Sequence, residues 1–241
     1  MAGGIHSREV GGSASFATSV STLDPGVPPL DADWVVAVRR PPSRRPYADV
    51  VKPAFDRLSA LILLVLVVPL MLAVSLAVRL SLGRGVFFVQ ERVGRGGRPF
   101  KLYKFRTMAH CRRKADLPHD GPDRRLAHKH PDDPRLTATG RLLRRLSLDE
   151  LPQLVNVLKG EMSLVGPRPE LPSIVRRYET WQHERHDAKP GMTGPWQVDA
   201  RDRPMHLATD LDIEYVRRVK PWTDAKILVK TFASVVRRDG W

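Results

Sequence analysis

Between Leu58 and Val78 the chain reads LSALILLVLVVPLMLAVSLAV, without one charged side chain. About 20 apolar residues are what a helix needs to cross the hydrocarbon core of a bilayer. A buried core helix is the alternative reading. It would need apolar partners on every side, and the rest of the sequence does not supply them. Arginine and lysine flank the stretch at both ends. Arg39, Arg40, Arg44, Arg45, Lys52 and Arg57 precede it, and Arg79, Arg84, Arg92, Arg95 and Arg98 follow. Positive flanks stay on the cytoplasmic side, and here both flanks ask for that side. Pro69 lies in the middle of the run, where it removes one helical hydrogen bond and clashes with the preceding turn. A re-entrant helix, broken at Val68-Pro69 and leaving through the leaflet it entered, satisfies both flanks. It is preferred over a spanning helix. The carbonyl near Val65 then needs a local partner, because lipid offers none.

Outward from this segment the composition changes sharply. Residues 1–45 are small, polar and proline-rich, with Arg39, Arg40, Arg44 and Arg45 among the prolines. Such a segment buries too little apolar surface to offset its ordering entropy and is expected to be a disordered basic arm. It lacks the apolar run and cleavage pattern of a signal peptide. The expected organisation is this arm, a membrane-inserted segment at 46–82, and a cytoplasmic domain at 83–241. The 241 residues carry 40 Lys and Arg against 26 Asp and Glu, a net charge of +14. That excess favours an anionic partner: nucleic acid, an anionic membrane face or a phosphorylated substrate. Aromatic residues are 7% of the chain, thin for stacking on single-stranded bases. The lone Cys111 excludes an internal disulfide and a multi-cysteine metal centre.

After the membrane segment, VFFVQERV and PFKLYKF flank Arg95-Gly96-Gly97-Arg98 and predict a β-hairpin. Residues 109–139 read as a polar loop whose His110, His119, His128 and His130 match no metal-binding spacing. From Gly140 to Lys159 the leucine pattern predicts amphipathic helix, with Leu142, Leu143, Leu146, Leu151, Leu154, Val155 and Leu158 on one face. Pro152 divides it into two helices meeting near Ser147–Leu151. Ala225, Leu228, Val229, Phe232, Val235 and Val236 predict a last amphipathic helix capped by Thr223. Its Lys226, Lys230 and Arg237 also suit an anionic membrane surface. The fold class expected is α+β, mainly helical.

Asp149 and Glu150 stand together where a helix begins. One reading is structural, with Ser147-Leu148-Asp149-Glu150 as a capping box. The other is chemical: a nucleophile or a metal-binding carboxylate pair, since phosphate and Mg²⁺ both suit a helix start lined by carboxylates. In Gly166-Pro167-Arg168-Pro169 two prolines stiffen the backbone around one arginine. That is either a plain turn or a fixed guanidinium fork for phosphate. Pro190-Gly191-Met192-Thr193-Gly194-Pro195-Trp196 is a second compact turn whose glycines allow close approach to a ligand. On the hairpin, Lys101 shares a face with Tyr103 and Phe105, while Lys104 and Arg106 lie opposite. These cations face either phosphate or solvent.

Taken in order, KPAFDRLSALILLVLVVP, FKLYKFRTM, LSLDELPQLVNVLKGEMSLVGPRPELP and KPGMTGPWQV resemble the bacterial sugar transferase family, the monotopic phosphoglycosyl transferases. The likeness runs from about Lys52 to the last helix and is to the short form of the family. It implies transfer of a sugar-1-phosphate from a nucleotide sugar, usually a UDP-sugar, to polyprenyl phosphate. The products would be polyprenyl-diphosphate-sugar and UMP, at the first membrane step of exopolysaccharide or glycoconjugate assembly. Further glycosyltransferases would act downstream. By resemblance, Asp149 carries a covalent phosphosugar, Glu150 assists, and both hold Mg²⁺. Arg144 and Arg168 match active-site arginines, and Lys101, Lys104, Arg106, Gln197 and Arg201 are further candidates for substrate binding. The membrane segment would be the family's helix-break-helix, on the cytoplasmic face of a bacterial inner membrane. Two departures stand out. Val68-Pro69 replaces the family's frequent Ser-Pro, and Gln197-Val198-Asp199-Ala200-Arg201 has alanine where glycine is frequent. The competing class is a membrane-anchored basic protein without catalysis, binding nucleic acid or anionic lipid. It leaves the Asp149, Glu150 and Arg168 constellation unexplained.

Overall fold

The computed structural model describes residues 46–109 and 135–237. The basic arm and His110, His119, His128 and His130 fall outside them. A wider-wound turn, Tyr47–Val51, leads into one long helix, α1, Lys52–Leu82. Pro53 sits in its first turn, where a missing N–H costs nothing. Gly83 ends it at φ 75° and ψ −151°, a positive-φ conformation that suits a glycine.

The expected break at Val68-Pro69 does not appear as two helices. α1 runs through Pro69 as a single helical element of 31 residues, roughly 46 Å long. Packing accounts for the continuity. Pro69 deletes only one donor, while a stripe along the helix is held by the body. Ala60, Leu64 and Val67 join one core cluster, and Met71, Val74, Val78 and Leu82 join a second. Each is three or four residues from the next, so all seven fall on one face. The other faces leave Leu58, Leu61, Ile62, Leu63, Val65, Leu66, Val68, Leu70, Leu72, Leu76 and Leu80 exposed.

Both ends of α1 are tied to the same body. At the start, Lys52 donates to Asp224 Oδ2 at 2.6 Å, Tyr47 donates to that oxygen at 2.8 Å, and Tyr215 donates to Asp224 Oδ1 at 2.7 Å. Ser163 donates its hydroxyl to Asp56 at 2.6 Å. Burial pushes the Asp56 carboxyl above its ordinary value, against the pull of Lys52. At the end, the buried Arg106 guanidinium donates to the carbonyls of Leu82, Gly83 and Arg84. These include terminal carbonyls that the helix itself leaves without partners.

The hairpin forms as expected. β1 (Phe87–Val93) pairs antiparallel with β2 (Pro99–Phe105), Phe87 opposite Phe105 and Val93 opposite Pro99. Gly96 and Gly97 take positive φ in the turn between them. Two helices then meet as the pattern predicts. α2 (Ala138–Arg145) is capped by Thr137, whose hydroxyl accepts from the Gly140 N–H at 3.0 Å, and α3 spans Gln153–Lys159. Leu143, Leu154 and Val157 are buried, whereas Leu142 is exposed, so the apolar face is narrower than expected.

Beyond α3 lie two three-residue strands that hydropathy does not reveal. β3 (Ser163–Val165) and β4 (Gly191–Thr193) pair in parallel. The remaining helices are α4 (Pro172–Val175), α5 (Pro195–Asp199), α6 (Thr209–Arg217) and α7 (Pro221–Val236), with a 3-10 segment at Thr180–Asp187. α7 begins a turn earlier than expected. Lys220 is its N-cap residue and Pro221 its first position, so Thr223 lies inside the helix. Proline at the first position presets the backbone without needing a side-chain cap. Trp222, Val229 and Phe232 of α7 and Phe87, Phe88 and Val89 of β1 add to the exposed apolar surface. The described residues are mainly helical with little strand, as the α+β class requires.

Candidate active site

The segment joining α2 to α3 carries the two carboxylates. α2 ends at Leu146, and Ser147 takes φ 55° and ψ 18°. It is the one non-glycine with positive φ among the described residues. This left-handed residue turns the chain into a 3-10 turn, Leu148–Glu150, whose N-cap position makes no side-chain hydrogen bond. The capping-box reading is therefore overturned. Ser147 acts as the stop of α2, and Pro152 takes the N-cap position of α3. The acidic pair sits on a short, tight turn held between two helices.

Asp149 is nearly buried. Glu150 Oε1 accepts from Lys104 Nζ at 2.9 Å and from Arg168 Nη2 at 3.2 Å. β2 supplies the lysine and the diproline turn supplies the arginine. Burial and Arg168 push the Lys104 ammonium below its ordinary value, opposed by Glu150 and Asp149. Arg144 is on the last turn of α2 and donates through Nε to Thr107 Oγ1 at 3.0 Å. Arg168 also lies 5.8 Å from the ring centre of Trp196, the second residue of α5.

Other candidates go elsewhere. Arg106 directs its guanidinium to the end of α1 rather than to the carboxylates. Lys101 is exposed and, an odd number of residues from Lys104, points from the opposite face of β2. Gln197 is buried on α5. Its Nε2 donates to the Met192 carbonyl at 3.2 Å, while Oε1 has no partner among the described residues. Arg201 is half-buried in the turn after α5. The structure thus brings Asp149, Glu150, Lys104 and Arg168 together, with Arg144 one turn away.

Three glycines let the two turns meet. A Cβ on Gly191 would lie 2.1 Å from the Gly166 nitrogen, and one on Gly194 would lie 2.0 Å from the Gly166 carbonyl oxygen. No side chain fits there, so Gly166-Pro167-Arg168-Pro169 docks directly on β4 and α5. Asn156 was not singled out by the sequence reading. It is fully buried on α3, accepts from the Tyr103 N–H at 3.1 Å and donates to the Lys101 carbonyl at 2.7 Å. It thereby fixes β2, and with it Lys104, against α3. A lone amide in the apolar run LPQLVNVL was the available signal.

The sequence compares closely with known proteins. The bacterial sugar transferase description matches residues 47–238. This chain belongs to that family. It is similar to a Bacillus subtilis protein called uncharacterized sugar transferase EpsL, 43% identical over 192 residues, which cover 79% of this chain and 90% of that protein. The exopolysaccharide production protein ExoY of Rhizobium meliloti is 37% identical over 201 residues, 79% of this chain and 88% of the relative. A Caulobacter vibrioides protein named UDP-glucose:undecaprenyl-phosphate glucose-1-phosphate transferase is 39% identical over 207 residues, 82% of this chain and 74% of the relative. The family resemblance carried by the four motifs is borne out, and the chain is an enzyme of the sugar transferase family. The comparisons give no support to a non-catalytic basic binding protein.

The donor set also bears on the metal that the family implies. Asp149 and Glu150 offer hard oxygen ligands, and one Glu150 oxygen is already engaged by two cations. Among the described residues no group of three or more acidic, histidine or cysteine side chains converges. Mg²⁺ is commonly held by one or two carboxylates with the rest of its shell from phosphate and water. Two neighbouring carboxylates fit that pattern.

Proposed function

We propose that this protein transfers sugar-1-phosphate from a UDP-sugar to polyprenyl phosphate, through a phosphosugar bound to Asp149. The observation that carries this reading is the convergence of Lys104 and Arg168 on Glu150 beside the nearly buried Asp149. A carboxylate is ionised at neutral pH and needs no base to become a nucleophile. An Asp149 oxygen attacks the sugar-linked phosphorus, forming an acyl phosphate bond as the bond to UMP breaks. An oxygen of polyprenyl phosphate then attacks the same phosphorus. The sugar-phosphate passes to the lipid and Asp149 is freed as carboxylate.

Lys104 and Arg168 counter the negative charge that gathers on the diphosphate, Arg168 through its two-pronged fork. Asp149 and Glu150 are the residues that would hold Mg²⁺. When bound, the ion supplies further charge neutralisation on phosphate oxygens. Glu150 is anchored by the two cations and stays beside the nucleophile.

The same reading seats the chain on the cytoplasmic face of the membrane, with both ends of α1 on that one side. The packed stripe from Ala60 to Leu82 supports it, because both ends of α1 attach to one charged body. A helix crossing to the far side would carry one of its ends away from that body. The exposed faces of α1, α7 and β1 supply apolar surface for lipid.

The test is UMP release from a panel of UDP-sugars with polyprenyl phosphate, together with mass spectrometry of protein incubated with donor alone. The expected result is acceptor-dependent UMP and a phosphosugar on the Asp149 peptide. Asp149→Asn, close in shape but a poor nucleophile, should abolish both while the protein stays folded and in the membrane fraction. Near-normal turnover in that variant would refute the assignment. An adduct on Glu150 would exchange the two carboxylate roles.

A further inference from the structure

The turn that carries Arg168 is short of hydrogen bonds of its own. Pro167 and Pro169 have no N–H to give, so the turn's carbonyls must be satisfied from outside it. Each of them is. The Pro167 carbonyl accepts from the Gly191 N–H at 2.9 Å, and the Glu170 carbonyl accepts from the Val93 N–H at 3.0 Å. Between these, the Arg168 carbonyl accepts from Arg185 Nη2 at 2.7 Å and the Pro169 carbonyl accepts from Arg92 Nη1 at 3.2 Å. Two guanidinium groups therefore grip the backbone at Arg168, whose own guanidinium reaches Glu150, and at Pro169 next to it.

Both gripping arginines are locked from behind. Arg185 is 2% exposed, and its Nε and Nη2 both bind Asp212 Oδ2 while Nη1 donates to the Tyr178 hydroxyl at 2.9 Å. Asp212 is fully buried on α6. Arg92, at the end of β1, donates through Nη2 to Gln90 at 2.7 Å and pairs with the buried Glu170 at 3.5 Å. The turn is thus held from α6 on one side and from the hairpin on the other. A buried ion pair is weak evidence for stability in itself. A guanidinium is a costly way to satisfy one carbonyl unless the position of that carbonyl matters.

We propose that Arg92 and Arg185 are positioning residues that fix the Arg168-Pro169 backbone so that the Arg168 fork meets the donor diphosphate. This rests on the reading of Arg168 as a donor clamp, and the test separates the two. Lysine at either position keeps the charge and stem but cannot bridge several partners at once.

The experiment uses the full chain in detergent or nanodiscs, with UMP release as the assay. Arg92→Lys, Arg185→Lys and Tyr178→Phe are compared in the wild-type background and in the Arg168→Lys background. Arg92→Lys and Arg185→Lys should each lower kcat about 10- to 100-fold, the scale of a small misplacement near the chemistry. Tyr178→Phe, which removes one support of Arg185, should cost a few-fold. The KM for polyprenyl phosphate should stay unchanged. In the Arg168→Lys background each should add less than about twofold, because residues acting through one group are not additive. Losses that multiply in full would overturn the proposal, as would lowered melting temperatures with kcat intact. If Arg185→Lys does not fold, Arg92→Lys and Tyr178→Phe decide by the same criterion. An Arg168→Lys variant with normal turnover would instead remove the donor-clamp reading on which the proposal stands.

Discussion

Lys104 and Arg168 lie far apart in the chain but donate to the same oxygen of Glu150, at 2.9 and 3.2 Å. Two cations on one carboxylate oxygen leave an excess of positive charge beside Asp149. Replacing Arg168 by Lys conserves that charge but removes the fork. Arg168→Lys should therefore lose roughly 10²-fold in kcat, the scale of one preorganised donor lost at a transition state. Activity within a few-fold of wild type would reduce Arg168 to a turn residue.

Ser147 is left-handed at the entrance to the carboxylate turn. For a non-glycine this conformation costs about 1–2 kcal/mol. Glycine escapes that cost but adds unfolded-state entropy of similar size, so Ser147→Gly should leave the melting temperature nearly unchanged. Ser147→Val adds a β-branched side chain where φ is positive. It should lower the melting temperature and kcat together, since the chain can relax only by shifting Asp149. Equal melting temperatures for the two variants would contradict the left-handed turn.

His186 is buried beside Arg185, and burial first and the arginine second hold its imidazole well below its ordinary value. The folded protein keeps it neutral, while the unfolded chain takes up a proton near pH 6.5. Stability from this group is complete above about pH 6.5 and is lost as pH falls below it. His183 is shifted in the same direction by burial. Burial raises the Asp56 and Asp212 carboxyls against their neighbouring cations. Those groups act with the opposite sign, in a window that begins nearer pH 4. Wild type should melt lower at about pH 5.5 than at about pH 7.5, and His186→Gln should show a smaller drop. Parallel pH profiles for the two proteins would rule out His186 as the source.

The one-leaflet arrangement can be read with cysteines. In a Cys111→Ser background, Val50→Cys before α1 and Arg98→Cys in the hairpin turn both place the thiol at exposed positions. Both should label from the same side in spheroplasts and inverted vesicles. Labelling from opposite sides would leave a spanning helix.

The sequence made some of these features legible and hid others, for physical reasons. The long apolar helix, the hairpin around Gly96-Gly97 and the division of the 140–159 segment at Pro152 were all visible in local pattern. So was the carboxylate pair, whose partners Lys104 and Arg168 lay in motifs already marked. The capping box at Ser147 failed because the same letters serve a helix start and a left-handed stop, and only packing decides between them. Strands β3 and β4 are too short to show a period. Arg106 looked like a phosphate ligand because alternation sets its face but not its partner. Arg92 and Arg185 were invisible as supports, since their roles depend on carbonyls far away in sequence. Continuity through Pro69 was missed because local proline chemistry predicts a break, whereas packing of the helix face carries the helix across it.

The Arg106 grip on the last carbonyls of α1 ties the end of the long apolar helix to the segment that carries Lys104. Arg106, the first residue past the end of β2, is two residues from Lys104. A tilt of α1 that moves Leu82 would be felt first at Arg106, two residues from the ammonium beside Glu150. Turnover should then depend on the thickness of the bilayer. In nanodiscs of graded acyl-chain length, the rate should pass through a maximum even where substrates and lipid headgroups are held constant.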